Sequence, residues 1–171
     1  VNNFSYQPNE SFLIDEIKFD LINITNNSVF IESSVFNNDD IIKVLSQSSF
    51  VRYEPDFKTF QFNIPLEISG QASERFVKIT KGMKTRFLAG SFVLNGELVY
   101  YLDKEEVSKL TIPAEMAGKN INNIAIIGFK QNSEEALNEK LKIQASLESG
   151  RLPLELKIVD TKQKEPKLKM I

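Results

Sequence analysis

The spacing of the apolar positions changes sharply between residues 132 and 160. Up to residue 149, apolar side chains recur at four-residue spacing, which predicts a helix with one buried stripe. The predicted stripe consists of Leu137, Leu141 and Ala145. Asn132 or Ser133 can cap the start of this helix, and Gly150 is typical of a helix end. From residue 154 to 160, apolar and polar residues alternate, which predicts a strand with one buried face.

A second strand and helix are predicted in the middle of the chain. Apolar residues alternate from residue 59 to 68, and Pro65 lies on the opposite face. Because proline cannot donate to a ladder, it indicates an edge strand. Ser69 can cap a following helix over residues 70–81. The predicted buried stripe of that helix is Ala72, Phe76 and Ile79.

The other apolar runs predict strands. Residues 14–24 and 29–36 are expected to form a hairpin, and short strands are expected at residues 50–53 and 123–129. Between residues 86 and 102, two apolar runs flank Asn95 and Gly96, a pair that favours the positive φ angles of a two-residue hairpin turn.

Acidic residues near predicted turns are interpreted as helix caps. Asp39 and Asp40 precede an expected short helix at residues 41–45, and Asp103 with Glu106 forms a capping box for another. Residues 112–123, punctuated by proline and glycine, are expected to form a loop.

These elements predict an α+β protein with antiparallel sheets and helices on one face. Between residues 59 and 160 the expected order is strand, helix, three strands, helix, strand, which fits a ferredoxin-like βαββαβ arrangement. The N-terminal strands are expected to form a smaller layer.

The composition narrows the possible functions. The 171 residues include no cysteine, histidine or tryptophan, so the usual zinc ligands, the commonest general base and the thiol nucleophile are missing. We therefore expect no enzyme activity, no metal and no cofactor. The 21 basic and 23 acidic residues are mixed along the chain, which argues against nucleic acid as a partner. No apolar run is long enough to span a bilayer. Abundant Asn, Ile and Lys are typical of an AT-rich bacterial genome.

Several short motifs, taken in order, resemble the first extracytoplasmic domain of the SecD family. The segment ASLESGRLPLELKIV at residues 145–159 is similar to the end of that domain, and further matches lie upstream. The matching positions include Gly70, Ala72, Phe76, Asn95, Gly96, Gly128, Gly150, Leu152 and Pro153. Asn95 stands where the family has aspartate. The D-L-x-G-G motif of the family is absent.

The resemblance implies a membrane-attached domain on the extracytoplasmic side that assists export of unfolded preproteins. The implied partners are the preprotein and, through the membrane part, the SecYEG translocon, SecF and YajC-type subunits. The implied organisation is a base at residues 1–53, a ferredoxin-like head at 54–149, and a strand and tail at 150–171. Tyr100 and Tyr101 are candidate preprotein contacts, although ordinary sheet packing also explains them.

Two other classes of protein remain open from the sequence. A membrane-anchored or lipoprotein-like extracellular binding module would show the same α+β pattern. A hydrolase would need carboxylates such as Glu97, Asp103 and Glu105 to converge in a cleft, although each also has a turn or cap explanation. We also expect the head to move against the base, with hinges near residues 53–57 and 148–153, a hypothesis motivated by Pro55, Gly150 and Pro153.

Overall fold

In a computed structural model, residues 10–14, 17–25, 28–150 and 154–163 can be described. The helices are α1 (Gly70–Thr80) and α2 (Ser133–Ser149). The strands are β1 (Ser11–Ile14), β2 (Ile17–Ile24), β3 (Ser28–Asn37), β4 (Ile41–Val44), β5 (Phe50–Glu54), β6 (Thr59–Ile68), β7 (Thr85–Leu88), β8 (Ser91–Leu102), β9 (Glu105–Pro113), β10 (Asn123–Lys130) and β11 (Leu154–Gln163). Short 3-10 turns occupy Asn38–Asp40, Ser46–Ser48 and Ala114–Met116.

The strands form two antiparallel sheets. The large sheet has the order β1-β2-β3-β11-β8-β7. Strand β9 also pairs with β8, on the side opposite β11. The small sheet has the order β10-β6-β4, and β5 pairs with β6. Because β4 pairs with residues 66–68 of β6 and β5 with residues 59–63, these two strands follow each other along one edge of β6. The predicted α+β class is confirmed.

One apolar core connects both sheets and both helices. Phe36 of β3 and Ile158 of β11 lie in the same buried cluster as Phe62 of β6, Phe76 of α1 and Ile143 of α2. Helix α2 packs on the small sheet, where it contacts β6, β5, β10 and β4. Helix α1 contacts β3 of the large sheet, and its side chains reach the core through the predicted stripe of Ala72, Phe76 and Ile79.

The caps of α2 are confirmed, but its predicted stripe is wrong. The Asn132 side chain accepts a hydrogen bond from the Glu135 amide, and Gly150 ends the helix at φ 63° in the left-handed region. Leu137, Leu141 and Ala145 are exposed. The side facing the sheet carries Ala136, Lys140, Ile143 and Leu147. Lys140 on this side is half-buried, and its Nζ donates to Ser49 Oγ at 2.9 Å.

The predicted turn at Asn95-Gly96 is wrong, because β8 continues through both residues. The turns lie instead at Ala89-Gly90, with φ 48° and 86°, and at Asp103-Lys104, with φ 51° and 67°. The helix expected after Asp103 is the strand β9. Gly96 has a packing role in β8, since a Cβ there would lie 3.1 Å from the Val159 carbonyl oxygen.

Pro65 lies in the central strand of the small sheet, so the predicted edge position is also wrong. Its position coincides with the break between β4 and β5, where β6 needs no ladder donor, and its carbonyl accepts from the Leu45 amide at 2.9 Å. The short helix expected at residues 41–45 is instead β4, preceded by a 3-10 turn in which Asn37 and Asp40 form a capping box.

The ferredoxin-like head is not confirmed. Its expected strands are divided between the sheets, because β6 and β10 belong to the small sheet while β7, β8, β9 and β11 belong to the large one. Strand β11 pairs with β3 on one side and with β8 on the other, so it joins the N-terminal strands to the middle of the chain. The division at residues 53 and 149 stays a prediction.

Candidate functional site

An apolar groove lies where the two sheets approach each other, and its cavity volume is about 410 Å³. That volume is in the range of sites that hold a small ligand or a few side chains. Strands β6, β8, β9 and β10, helix α1 and the 3-10 turn after β9 line it. The lining residues are Pro65, Phe76, Leu98, Tyr100, Leu110, Thr111, Ile112, Pro113, Met116, Ile121, Asn123, Ile124, Ala125 and Ile127.

Strand alternation explains why the walls of the groove are apolar. Leu98 and Tyr100 lie on one face of β8, and Leu110 lies opposite Leu98 on β9. Across the groove, Ala125 lies opposite Pro65, and Ile127 follows two positions later on the same face of β10. The other face of β10 carries Ile126 into the core. The walls of the groove are therefore apolar side chains from both sheets, to which α1 adds Phe76.

The groove is also bordered by two edge strands. In the described part of the chain, β9 pairs only with β8 and β10 only with β6. The Pro65 carbonyl points toward Leu45, on the side of β6 away from β10. Directly opposed residues of an antiparallel pair point their polar groups either toward each other or away. The backbone N–H and C=O groups of Ala125 must therefore point away from β6, toward the outer edge of β10. The Tyr100 hydroxyl donates to this Ala125 carbonyl at 2.5 Å.

Tyr100 has the sheet-packing role that the sequence also allowed, and contact of Tyr100 with an exported chain stays a prediction. The ring is 1% exposed and lies in the core, and its hydroxyl donates to the Ala125 carbonyl. Burial raises the pKa of Tyr100 above its ordinary value, because the charged phenolate would be desolvated. The side chain thus fastens the large sheet to the edge of the small one beside the groove.

Replacing Tyr100 by phenylalanine should lower the free energy of unfolding by about 1–2 kcal/mol at pH 8, because the Ala125 carbonyl loses its donor. The wild-type protein should lose stability as the pH rises above 10, since Tyr100 ionises near 10 only when unfolded. The variant lacks this contribution, so its deficit should shrink at pH 11. Urea denaturation at pH 8 and at pH 11 measures the free energy of unfolding of both proteins. An equal deficit of the variant at the two pH values would contradict the prediction. The control is Tyr53→Phe, because Tyr53 is exposed in β5.

Tyr101 lies on the other face of the large sheet and is partly exposed. A second cavity of about 340 Å³ there is lined by Tyr101, Glu32, Glu97 and Lys109, among others. Lys157 donates to Glu32 at 2.9 Å and lies over the Tyr101 ring at 5.5 Å. Burial raises the pKa of Tyr101, and nearby Glu32 and Glu106 add to the rise. Contact of Tyr101 with an exported chain stays a prediction.

The carboxylates considered for a hydrolase are only partly brought together. Asp103 and Glu105 line a polar cleft with Lys130 and Lys142, whereas Glu97 lines the cavity on the outer face of the large sheet. Asp103 and Glu105 are both exposed, and Asp103 forms the turn between β8 and β9. No group of three or more acidic side chains that could hold a metal ion occurs in the described residues. The absence of enzyme activity stays a prediction.

Four of the nine SecD-like motif positions, Ala72, Phe76, Gly96 and Gly128, have packing roles. Ala72 and Phe76 are buried in α1, which begins at Gly70. A Cβ on Gly128 would lie 2.3 Å from Phe62 Cζ, so β10 needs a glycine where this ring crosses it. Asn95 and Gly96 lie within β8. Leu152 and Pro153 are outside the described residues.

Sequence reasoning did not identify the groove. The strands that form it are separated by long stretches of chain, and their alternation predicts buried faces without showing which face stays uncovered. Its clearest signal was Pro65, a proline on the face of β6 opposite the buried apolar residues.

Comparison with known proteins adds a relative. No protein-family model and no solved structure matches the chain significantly. The chain is 28% identical over 128 residues to the protein-export membrane protein SecD of Methanothermobacter thermautotrophicus. This similarity covers 73% of the chain but 29% of that relative, so the chain spans less than a third of its length. None of the described helices is long and apolar enough to cross a membrane. The comparison therefore supports, for most of this chain, a domain related to SecD and to protein export.

Proposed function

We propose that this chain is an extracytoplasmic domain of a SecD-like export protein, and that its groove holds extended apolar segments of an emerging, unfolded preprotein. The observation that carries the proposal is the similarity to SecD over most of the chain. The uncovered apolar groove between β9 and β10 supports it by offering a place where such a segment fits.

The chemistry of the groove suits a partner whose sequence varies. An extended segment beside β10 can exchange main-chain hydrogen bonds with an edge strand, and every polypeptide offers these groups. Every second side chain of the segment would then face the apolar walls, among them Leu98, Leu110 and Ile127. Burial of apolar side chains favours binding without reading a particular sequence.

The wider assignment follows from the same relationship to SecD. We propose that the parent protein is attached to the membrane and that the domain formed by this chain has no enzyme activity. Through its membrane part, the parent protein would contact the SecYEG translocon, SecF and YajC-type subunits. Movement of residues 54–149 against the N-terminal strands, coupled to the proton motive force in that membrane part, would then help to draw the preprotein outward.

The groove can be tested with a fluorescent peptide that is too short to fold and carries leucine at alternate positions. We expect the wild-type chain to bind it and Ala125→Leu, which fills the groove, to bind at least about tenfold more weakly, a loss of about 1.4 kcal/mol. The matched control is Ala145→Leu, which adds the same atoms at an exposed position of α2. Fluorescence anisotropy measures the affinity, and circular dichroism confirms that both variants are folded.

Two results would count against the proposal. Unmeasurable binding by the wild-type chain would overturn the groove as a preprotein site, and equal binding by the two variants would place the peptide elsewhere. The sequence of the parent gene on both sides of residues 1–171 separates this proposal from the alternative of a membrane-anchored or lipoprotein-like extracellular binding module. One membrane helix before and several after support the SecD-like protein, and a single anchor supports the alternative.

A further inference from the structure

A second exposed apolar surface lies away from the groove, at the end of the hairpin formed by β7 and β8. Residues 84–92 are all exposed. They include Phe87 and Phe92, each 65% exposed, and Leu88, 40% exposed. The two rings contact each other nearly at right angles, with centroids 5.2 Å apart. We call residues 86–92 the hairpin tip.

The hairpin tip is convex. Ala89 and Gly90 form its turn with positive φ angles, and a Cβ added to Gly90 would meet no atom within 4 Å. A projecting turn cannot enclose an extended chain as the groove does. It can, however, enter a soft apolar medium, where both rings and Leu88 would be withdrawn from water.

The charge around the hairpin tip favours an anionic partner. Residues 75–96 contain five basic residues and no acidic residue, in a chain whose net charge is −2. Arg75 is paired with Asp40. Lys81, Lys84 and Arg86 are exposed, and the last two precede Phe87 on the β7 side of the hairpin. Apolar side chains bordered by cations are typical of surfaces that lie in the interface of an anionic bilayer.

We propose that the hairpin tip inserts into the surface of an anionic phospholipid bilayer. Phe87, Leu88 and Phe92 enter the boundary between headgroups and acyl chains, while Lys84 and Arg86 pair with lipid phosphates. The proposal needs only the hairpin tip and does not depend on preprotein binding.

The test is flotation of the 171-residue chain with lipid vesicles. Vesicles of phosphatidylglycerol and phosphatidylcholine should bind the wild-type chain, and phosphatidylcholine alone should bind it much less. Phe87→Ser with Phe92→Ser should reduce the bound fraction at least about tenfold. Lys84→Gln should weaken binding about fivefold, and added salt should weaken it further.

The chain offers a matched control and an independent readout. Phe57 and Phe129 form another exposed aromatic pair, with centroids 5.9 Å apart, but the charges beside them are mixed, since Glu54 and Asp56 accompany Lys58 and Lys130. Replacing both phenylalanines of this pair by serine should leave vesicle binding unchanged. Because the chain contains no tryptophan, Phe92→Trp provides a single tryptophan, whose emission can be excited apart from that of the four tyrosines and should shift to the blue when anionic vesicles are added.

Vesicle binding that survives the hairpin-tip substitutions, or equal loss in the control, would overturn the proposal. The proposal would also be overturned if the wild-type chain bound no vesicles while the hairpin-tip variant no longer bound the fluorescent peptide. The hairpin tip would then be a surface that binds polypeptide. Failure of the groove proposal is seen separately, in the peptide affinity of Ala125→Leu.

Discussion

Replacing Phe76 by alanine should lower the free energy of unfolding by about 3–5 kcal/mol, the usual cost of removing a large ring from a well-packed core. Phe76 is 1% exposed and stacks on Phe36 of β3, with ring centroids 6.3 Å apart. It also belongs to the cluster that contains Phe62 of the small sheet. The substitution therefore removes contacts between α1 and the large sheet, and within the core that both sheets share.

Urea denaturation followed by circular dichroism measures this loss, with an unchanged dependence on urea concentration as evidence of the same unfolding reaction. The control is Leu141→Ala on α2, because Leu141 is 50% exposed and the substitution should cost no more than about 0.5 kcal/mol. A similar cost for the two variants would show that Phe76 does not connect the sheets.

The helices and their ends could be predicted from sequence because their signals are local. The Asn132 cap and the Gly150 terminus of α2 depend on residues within one turn of the helix, and both are confirmed. The four-residue spacing misjudged the buried side of α2 because Lys140 resembles a surface residue in sequence. Only the packing of α2 against the small sheet shows that Lys140 is half-buried.

Strand pairing depends on distant residues, and there the sequence was a poorer guide. Asn95-Gly96 has the composition of a tight turn, but β8 continues through it because β7 pairs with Leu94 just before it and β11 pairs with Gly96. Pro65 was assigned to an edge because nothing local reveals that two short strands, β4 and β5, leave a gap opposite it. The groove and the hairpin tip were missed for the same reason, since exposure of an apolar face is set by what packs elsewhere.

The ion pair of Asp40 and Arg75 lies where the chain crosses from the large sheet to the small one. Asp40 follows β3, and its carboxylate accepts from the Asn37 amide at 2.9 Å and from Arg75. Arg75 also donates to the Val35 carbonyl at 3.0 Å. The Asp40 side chain is 8% exposed and that of Arg75 34% exposed, so the carboxylate is the buried partner. This arrangement ties α1 to the end of β3.

Arg75→Met should therefore lower the free energy of unfolding by about 3 kcal/mol, because it leaves a buried carboxylate without its cation while keeping the apolar stem. In a double-mutant cycle with Asp40→Asn, the double variant should lose about 1–3 kcal/mol less than the sum of the single losses. Arg52→Met is the control, since the Arg52–Glu54 pair is largely exposed at its arginine and should contribute less than about 1 kcal/mol.

Additive losses in the cycle, or a cost for Arg75→Met no larger than that for Arg52→Met, would show that the ion pair does not stabilise the connection between the two sheets.

A confirmed coupling has a consequence for the proposed function. Any movement of residues 54–149 against the N-terminal strands has to separate Arg75 from Asp40 or carry Asp40 with α1. Since Asp40 is also held by Ser69, whose amide donates to the Asp40 carbonyl at 2.8 Å, the second course is favoured. That course would still have to remove Arg75 from the Val35 carbonyl of β3 and break the capping box of Asn37 and Asp40, so the contacts at this crossing oppose the proposed movement.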